Sequence, residues 1–424
     1  MTDTLSTPDE ARAAGGPAGE PPPVGPGFVA AYAAAHAGLW IAVLTPIVVT
    51  MAVRVQQLAG PDAAATQGLV LGTGAVLALV TNPVFGALSD RTTSRFGRRR
   101  PWVLAGALAG AAGLAVVAVA PGVGGLLAGW CLAQLGFNAM LAALTAVLAD
   151  RVPARQRGTV SGAVGVTVPV ALVCGTFLVQ ATAGSTAWMF LAPAALAVAG
   201  AVVFAAVLRE RRPAPARPGG PRRPARRPWS GPWRHPDFTW AWVSRFLLFM
   251  GIALLATFQA FYLVDHLGRS IAEVPRLIFW STLVTSAAVI LAGLVAGRVS
   301  DLTGRRKIFV LVSALVYGAG LLVIAAAPSF GVFLAGAAIT GLGQGVYLAV
   351  DLALVADVLP DRETGAARNM GVLNIATALP QSLAPAIAPV ILAAAGGSYP
   401  VLFLVAGLLA MLGSAAIAPV RGVR

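Results

Sequence analysis

The chain has 424 residues, of which 58% are hydrophobic and 11% charged, against roughly 25% charge in soluble domains. With a mean hydropathy of +0.81, the sequence excludes an ordinary water-soluble globule and belongs in a bilayer. The net charge of +14 is large enough to suit nucleic acid, but the placement of the cations speaks against that partner.

Residues 1–27 are rich in Pro, Gly and Ala, with acids at Asp3, Asp9, Glu10 and Glu20. They lack the basic-then-apolar order of a signal peptide and predict a disordered cytoplasmic tail. Apolar runs follow at 28–53, 68–88, 102–122, 124–148, 160–181 and 186–208. A second set occupies 239–263, 277–297, 308–328, 331–356, 372–395 and 399–420. Each is about 20 residues, enough to cross a ~30 Å hydrocarbon core. In lipid every backbone amide must be satisfied internally, so each run is a helix.

The predicted fold is an all-α membrane protein of twelve transmembrane helices in two six-helix bundles, 28–208 and 237–420. A basic cytoplasmic linker, 209–236, joins them, and 421–424 forms a last short tail. In the third run, Gly106 and Gly110 have the spacing that lets helices approach closely. Cys131 and Cys174 both lie in apolar runs and read as packing residues, with no disulfide framework.

Twenty-six of the thirty Arg and Lys residues fall before the first run, after the last, or after even-numbered runs. Arg54, Arg269 and Arg276 lie opposite, and Arg245 lies within a run. This bias places both termini in the cytoplasm, in a multi-pass protein of the plasma or inner membrane. The linker, with Arg222-Arg223-Pro224-Ala225-Arg226-Arg227, reads as a basic loop held at the anionic inner leaflet of the lipid bilayer.

The connection after the second run reads Gly86-Ala87-Leu88-Ser89-Asp90-Arg91, then Ser94-Arg95-Phe96-Gly97-Arg98-Arg99-Arg100-Pro101. Its order recurs after the eighth run as Gly297-Arg298-Val299-Ser300-Asp301, then Gly304-Arg305-Arg306-Lys307. The repeat extends further. Leu135-Gly136, Ala149-Asp150, Pro153, Arg155 and Gly158 align at a constant offset with Leu342-Gly343, Ala356-Asp357, Pro360, Arg362 and Gly365. Two such halves, with a solute site between them near the midplane, are the architecture expected of parallel repeats.

The Gly-x-x-Ser-Asp-Arg and Gly-Arg-Arg-Arg pattern resembles the signature loop of the major facilitator superfamily. Its longer form, together with Leu44-Thr45-Pro46 and Asn82-Pro83, is similar to the glycoside-pentoside-hexuronide:cation symporters and the related sucrose transporters. That resemblance implies secondary transport by alternating access, with helices one, four, seven and ten lining the cavity. It also implies a cytoplasmic latch that biases the conformational balance. The predicted latch residues are Asp90, Arg91, Arg98, Asp150, Arg157, Asp301, Arg305 and Asp357. Asp90 and Asp301 close the second and eighth helices, where a carboxylate can cap a neighbouring helix and pair with Arg91, Arg98 or Arg305.

Within the twelve runs only Arg245 and Asp351 carry formal charge. An intramembrane charge costs roughly 2.5–3.5 kcal/mol on insertion scales and is by default functional, with a partner to be named. Similar depth and opposite charge make these two a pair, either facing the cavity or fixed structurally. Gln344, Tyr347 and Asp351 share one stripe of the tenth helix. Gln134 and Asn138 on the fourth, Gln259 and Tyr262 on the seventh, and Asn374 and Gln381 on the eleventh add amides and a phenol. Amide, carboxylate and aromatic groups together suit a polyhydroxylated solute, and each polar residue singly also suits an interhelical hydrogen bond.

His36 and Trp40 lie one turn apart on the first helix, and His36 titrates near neutrality. His36 and Asp351 are therefore the proton-coupling candidates. The acids that cation-coupled members of the resembled group carry in their amino-terminal helices are absent here, which leaves the coupling ion open between proton and others. The fourth-helix Arg-x-x-Gln-Gly pattern of drug antiporters is also missing, Cys131 standing at its Arg position.

The sequence thus predicts a monomeric, proton-coupled sugar or glycoside transporter acting on a small-molecule substrate. The competing readings are an exporter of drugs or apolar metabolites and a non-transporting receptor or scaffold. No nucleotide loop, metal spacing or nucleophile constellation is found, so no enzyme, cofactor or metal is expected.

Overall fold

The computed structural model describes residues 22–208, 235–303, 305–358 and 366–420. The predicted tails (1–21 and 421–424), most of the linker (209–234), and Pro360, Arg362 and Gly365 lie outside the described residues. So do the side chains of Asp301, Asp357 and Asn374.

Among the described residues there is no strand and there are twelve long helices. Helix α1 runs over Pro26–Thr45, a π-helical turn at Pro46–Thr50, and Met51–Ala59. The chain reverses at Gly60, whose φ of 50° suits glycine. Then come α2 (Ala63–Arg91), α3 (Arg100–Val119), α4 (Val123–Arg151), α5 (Ala154–Ala181) and α6 (Thr186–Val207). In the second half α7 (Pro236–Phe261) continues into a π turn at Tyr262–His266. It is followed by α8 (Val274–Thr303), α9 (Arg306–Ala325), α10 (Phe330–Val358), α11 (Ala366–Ala394) and α12 (Tyr399–Ile417).

Several helices outrun their apolar runs, α2 reaching Arg91 and α8 reaching Thr303. Hydropathy falls at the hydrocarbon boundary, whereas backbone hydrogen bonding continues into the headgroup layer.

The duplication governs packing. In the first half α1 packs on α5 and α6, α2 on α4, and α3 on α4 and α6. In the second half α7 packs on α11 and α12, α8 on α10, and α9 on α10 and α12. Every pair recurs with each helix advanced by six. Between halves α2 meets α11 and α5 meets α8, two contacts that exchange under the same operation.

Small residues make these approaches possible. A side-chain carbon added to Gly106 would lie 2.7 Å from the Gly136 carbonyl oxygen, and one on Gly110 would lie 2.5 Å from the Phe137 ring. The predicted close contact of the third helix is thus with α4. In the counterpart pair, a carbon on Gly320 would meet the Thr340 amide nitrogen of α10 at 2.6 Å. Gly106→Val should therefore lower the melting temperature in detergent by about 5 °C or more, the scale of severe overpacking. Gly162→Val, with nothing within 4 Å, should leave it unchanged.

We refer to the end carrying the loops after even-numbered helices as the basic end. The direct contacts between halves cluster at the other, far end. Gln67 of α2, fully buried, donates to the Thr257 carbonyl of α7 at 2.7 Å. Gly68 and Gly72 of α2 face Pro385, Pro389 and Ala386 of α11. Phe177 of α5 meets Phe279 of α8 with ring centroids 5.7 Å apart. These contacts hold the two bundles together at the far end.

Candidate functional site

The only two charges within the twelve apolar runs meet. Arg245 of α7 and Asp351 of α10 form an ion pair with Nη1 and Oδ2 2.7 Å apart, the side chains only 9% and 6% exposed. Arg245 is nine residues beyond the start of α7 and Asp351 seven before the end of α10. At ~1.5 Å per residue both lie more than 10 Å inside the helix ends.

Other groups add to the bonding of the pair, in which Nη1 makes a close charge contact but no well-aligned hydrogen bond. Arg245 Nε donates to Thr377 Oγ1 of α11 at 2.9 Å, and the Tyr347 hydroxyl, one turn from Asp351, donates to its carboxylate. The Phe249 ring lies 5.6 Å from the guanidinium carbon and 6.3 Å, edge to face, from the Tyr347 ring. A guanidinium held by a carboxylate, a hydroxyl and an aromatic face has a partner for most of its surface. The knot ties α7, α10 and α11 together, and α11 is the helix that touches α2 of the other half. Nearby, Trp242 Nε1 donates to the Val372 carbonyl at 2.9 Å, which fixes α7 to α11 again.

The first half supplies a polar ladder. Asn138 donates to the Gln134 carbonyl at 2.8 Å, and Asn82 of α2 donates to Asn138 Oδ1 at 3.4 Å. On α1, His36 is buried and its Nδ1 donates to the Tyr32 carbonyl at 3.0 Å. That bond fixes the proton on Nδ1 and leaves Nε2 as the basic nitrogen. Trp40, one turn on, is half-buried.

Other predicted residues stand apart. Tyr262 does not join the Arg245 cluster. Its ring packs among Phe333 and Phe403, and its hydroxyl donates to the Ile324 carbonyl at 2.5 Å, so it anchors the far end of α7 inside its own bundle. Gln259 is buried, Gln344 half-buried and Gln381 exposed.

At the basic end the structure corrects the sequence in two respects. The cation that bridges the acids is Arg99, not Arg91 or Arg98. Its Nη2 lies 2.6 Å from Asp90 and 2.8 Å from Asp150, and its Nη1 donates to Ser89 Oγ at 2.7 Å. Arg91 directly follows Asp90 on the same helix, and adjacent helical residues do not face each other. Nor does Asp90 cap α3, whose first backbone amides receive no side-chain cap. Arg157 donates to the Val152 carbonyl at 3.1 Å, and Arg305 is exposed at the start of α9. The Arg99 network joins α2, α3 and α4 of one half.

A family model for the Major Facilitator Superfamily matches the chain twice, over residues 28–284 and 242–423. The chain belongs to that superfamily. It is a multi-pass integral membrane protein of a transporter family.

Solved structures of other facilitators share the fold. A bacterial homologue of the human lysosomal transporter Spinster, inward-facing and unoccupied, superposes with a TM-score of 0.71 at 16% identity, covering 93% of this chain and 98% of that one. A D-xylose–proton symporter gives 0.67 at 16% identity over 94% and 98%. A nucleoside transporter gives 0.70 at 12% identity over 92% and 98%. A Synechocystis sp. protein described as an uncharacterised symporter is 51% identical over 43 residues, 10% of this chain and 8% of that one. The chain therefore matches only a small fraction of that relative's length.

Proposed function

We infer that this facilitator is a secondary active transporter of a small polar solute, a sugar or glycoside, driven by protons and working by alternating access. The observation that supports the reading most is the buried Arg245–Asp351 pair tied to α11 through Thr377. Protonating Asp351 removes the charge that holds Arg245. The freed guanidinium can then donate to solute hydroxyls while α7, α10 and α11 repack. Because α11 touches α2, the change reaches the contact between halves.

Gln134, Asn138, Gln259, Gln344 and Tyr347 offer the amide and aromatic groups that polyols need, with Asn374 and Gln381 on α11 as further candidates. His36 is a second proton acceptor on α1, beside Trp40. The cation distribution supports a cytoplasmic basic end with both termini on that side, and we take the protein to be a plasma-membrane monomer. We take Asp301, Arg305 and Asp357 to serve the second half as a cytoplasmic latch of the same kind.

Uptake of labelled disaccharides into proteoliposomes, with and without an imposed pH gradient, tests the proposal. Accumulation above the external concentration only with the inside alkaline is expected. Equal uptake with and without the gradient would overturn the proton coupling, and no saturable uptake of any disaccharide or glycoside would overturn the solute class.

A further inference from the structure

At the far end a crevice of about 480 Å³ lies between the halves, within the size range of small-molecule sites. One wall is the α1–α2 turn, with Gln56, Pro61 and Ala63. The other is the end of α7 and the start of α12, with Phe261, Asp265 and Tyr399. Neither half forms the crevice alone.

Its chemistry is one-sided. The Asp265 carboxylate accepts a hydrogen bond from the Tyr399 hydroxyl, and no described cation pairs with it. Arg54, whose Nη2 donates to the Ala120 carbonyl at 2.7 Å, and Arg269 lie on the same side of the protein but do not line the crevice. Gln56 Oε1 is buried without a donor. The Phe261 and Tyr399 rings are stacked 4° from parallel with centroids 6.2 Å apart. The exposed Asp265 carboxylate is a partner for positive charge with N–H donors, while Gln56 Oε1 and the Phe261 and Tyr399 rings, 2% and 7% exposed, lie buried beside it. A bare divalent ion would need more oxygens than one carboxylate and an amide supply.

The crevice also sits directly outside the seal. Ala63 is one turn from Gln67 on α2, and Phe261 one turn from Thr257 on α7, the two residues whose hydrogen bond closes the far end. We propose that this crevice is a binding site for a small organic ammonium compound, held by the Asp265 carboxylate, and that its occupant favours the far-closed state. Since both halves form the walls, parting them at the far end destroys the site, and the ligand opposes that motion. The state preference rests on the alternating-access reading, whereas the binding does not.

The test compares benzylamine, charged at neutral pH, with benzyl alcohol, its neutral isostere, by calorimetry on the detergent-solubilised full chain. The amine should bind about tenfold more tightly than the alcohol, and Asp265→Asn should abolish that difference. Tyr399→Phe keeps the ring and should retain most of it. Equal affinities in the unaltered protein, or a preference that survives Asp265→Asn, would overturn the site. Spin labels at exposed Ala183→Cys and Ala394→Cys, on opposite halves at the far end, read the second part in a background lacking Cys131 and Cys174. Benzylamine should enrich the short distance. Tight binding with an unchanged distance distribution would overturn the state preference and leave the disaccharide assay, which uses neither variant, as the separate measure of transport.

Discussion

Asp351→Asn should abolish gradient-driven accumulation in proteoliposomes, lowering the accumulation ratio about tenfold or more, to the value found without a gradient. Asn preserves the shape of the side chain and its hydrogen bond with Tyr347 but cannot take up a proton. Exchange of labelled for unlabelled solute should survive, because alternating access remains.

The same substitution should destabilise the protein, since it leaves Arg245, 9% exposed, without its countercharge. Removing one partner of a buried pair typically costs about 3–5 kcal/mol. The double replacement Arg245→Met with Asp351→Leu separates the two effects. Replacing both members with apolar groups of similar volume is often neutral or stabilising, so the melting temperature should recover while accumulation stays absent. Wild-type accumulation in Asp351→Asn would show that the pair is a structural tie with no part in coupling.

Arg99→Ala is expected to have the second largest effect. The guanidinium is 4% exposed and bonds Asp90, Asp150 and Ser89 at once. Its loss leaves two carboxylates facing each other across the ends of α2 and α4. The acids themselves are 64% and 40% exposed, so water screens much of their repulsion. The larger loss is the planar fork that fixes three elements in one geometry. A fall in melting temperature of about 5 °C, with transport reduced roughly tenfold, is expected. Arg99→Lys should recover little, because one ammonium cannot span all three acceptors. Arg98→Ala should behave like the wild type. Equal effects of Arg98→Ala and Arg99→Ala would contradict the assignment.

The helices and their duplication were legible because strong signals coincide: apolar runs of membrane-spanning length, a repeated loop, and a segment of the fourth helix and the connection after it that recurs at a constant offset. The Arg245–Asp351 pair was legible for the related reason that buried charge is costly. Thr377 was not, since a threonine in an apolar helix reads no differently whether its hydroxyl bonds its own backbone or a guanidinium on another helix.

Arg99 was hidden among neighbours of the same charge. The sequence gives no reason to prefer it to Arg98 until Gly97, with φ 102°, turns the chain ahead of it. Tyr262 shares the seventh helix with Gln259 and offers a phenol, which in sequence reads as a site group. Its ring instead packs within its own bundle, between Phe333 and Phe403. Gln67 gave no signal at all, because the contact it makes lies 190 positions away on the other half.

The central claim is that two bundles rock about a midplane site. Distances between spin labels at both ends of one molecule, in lipid nanodiscs, test it most directly. One pair is Gly158→Cys on α5 with Leu302→Cys on α8, at the basic end, and the other is Ala183→Cys with Ala394→Cys at the far end. On changing pH or adding a transported disaccharide, the basic-end distance should shorten as the far-end distance lengthens. Distances that stay fixed at both ends under every condition, or that change in the same sense, would contradict the account.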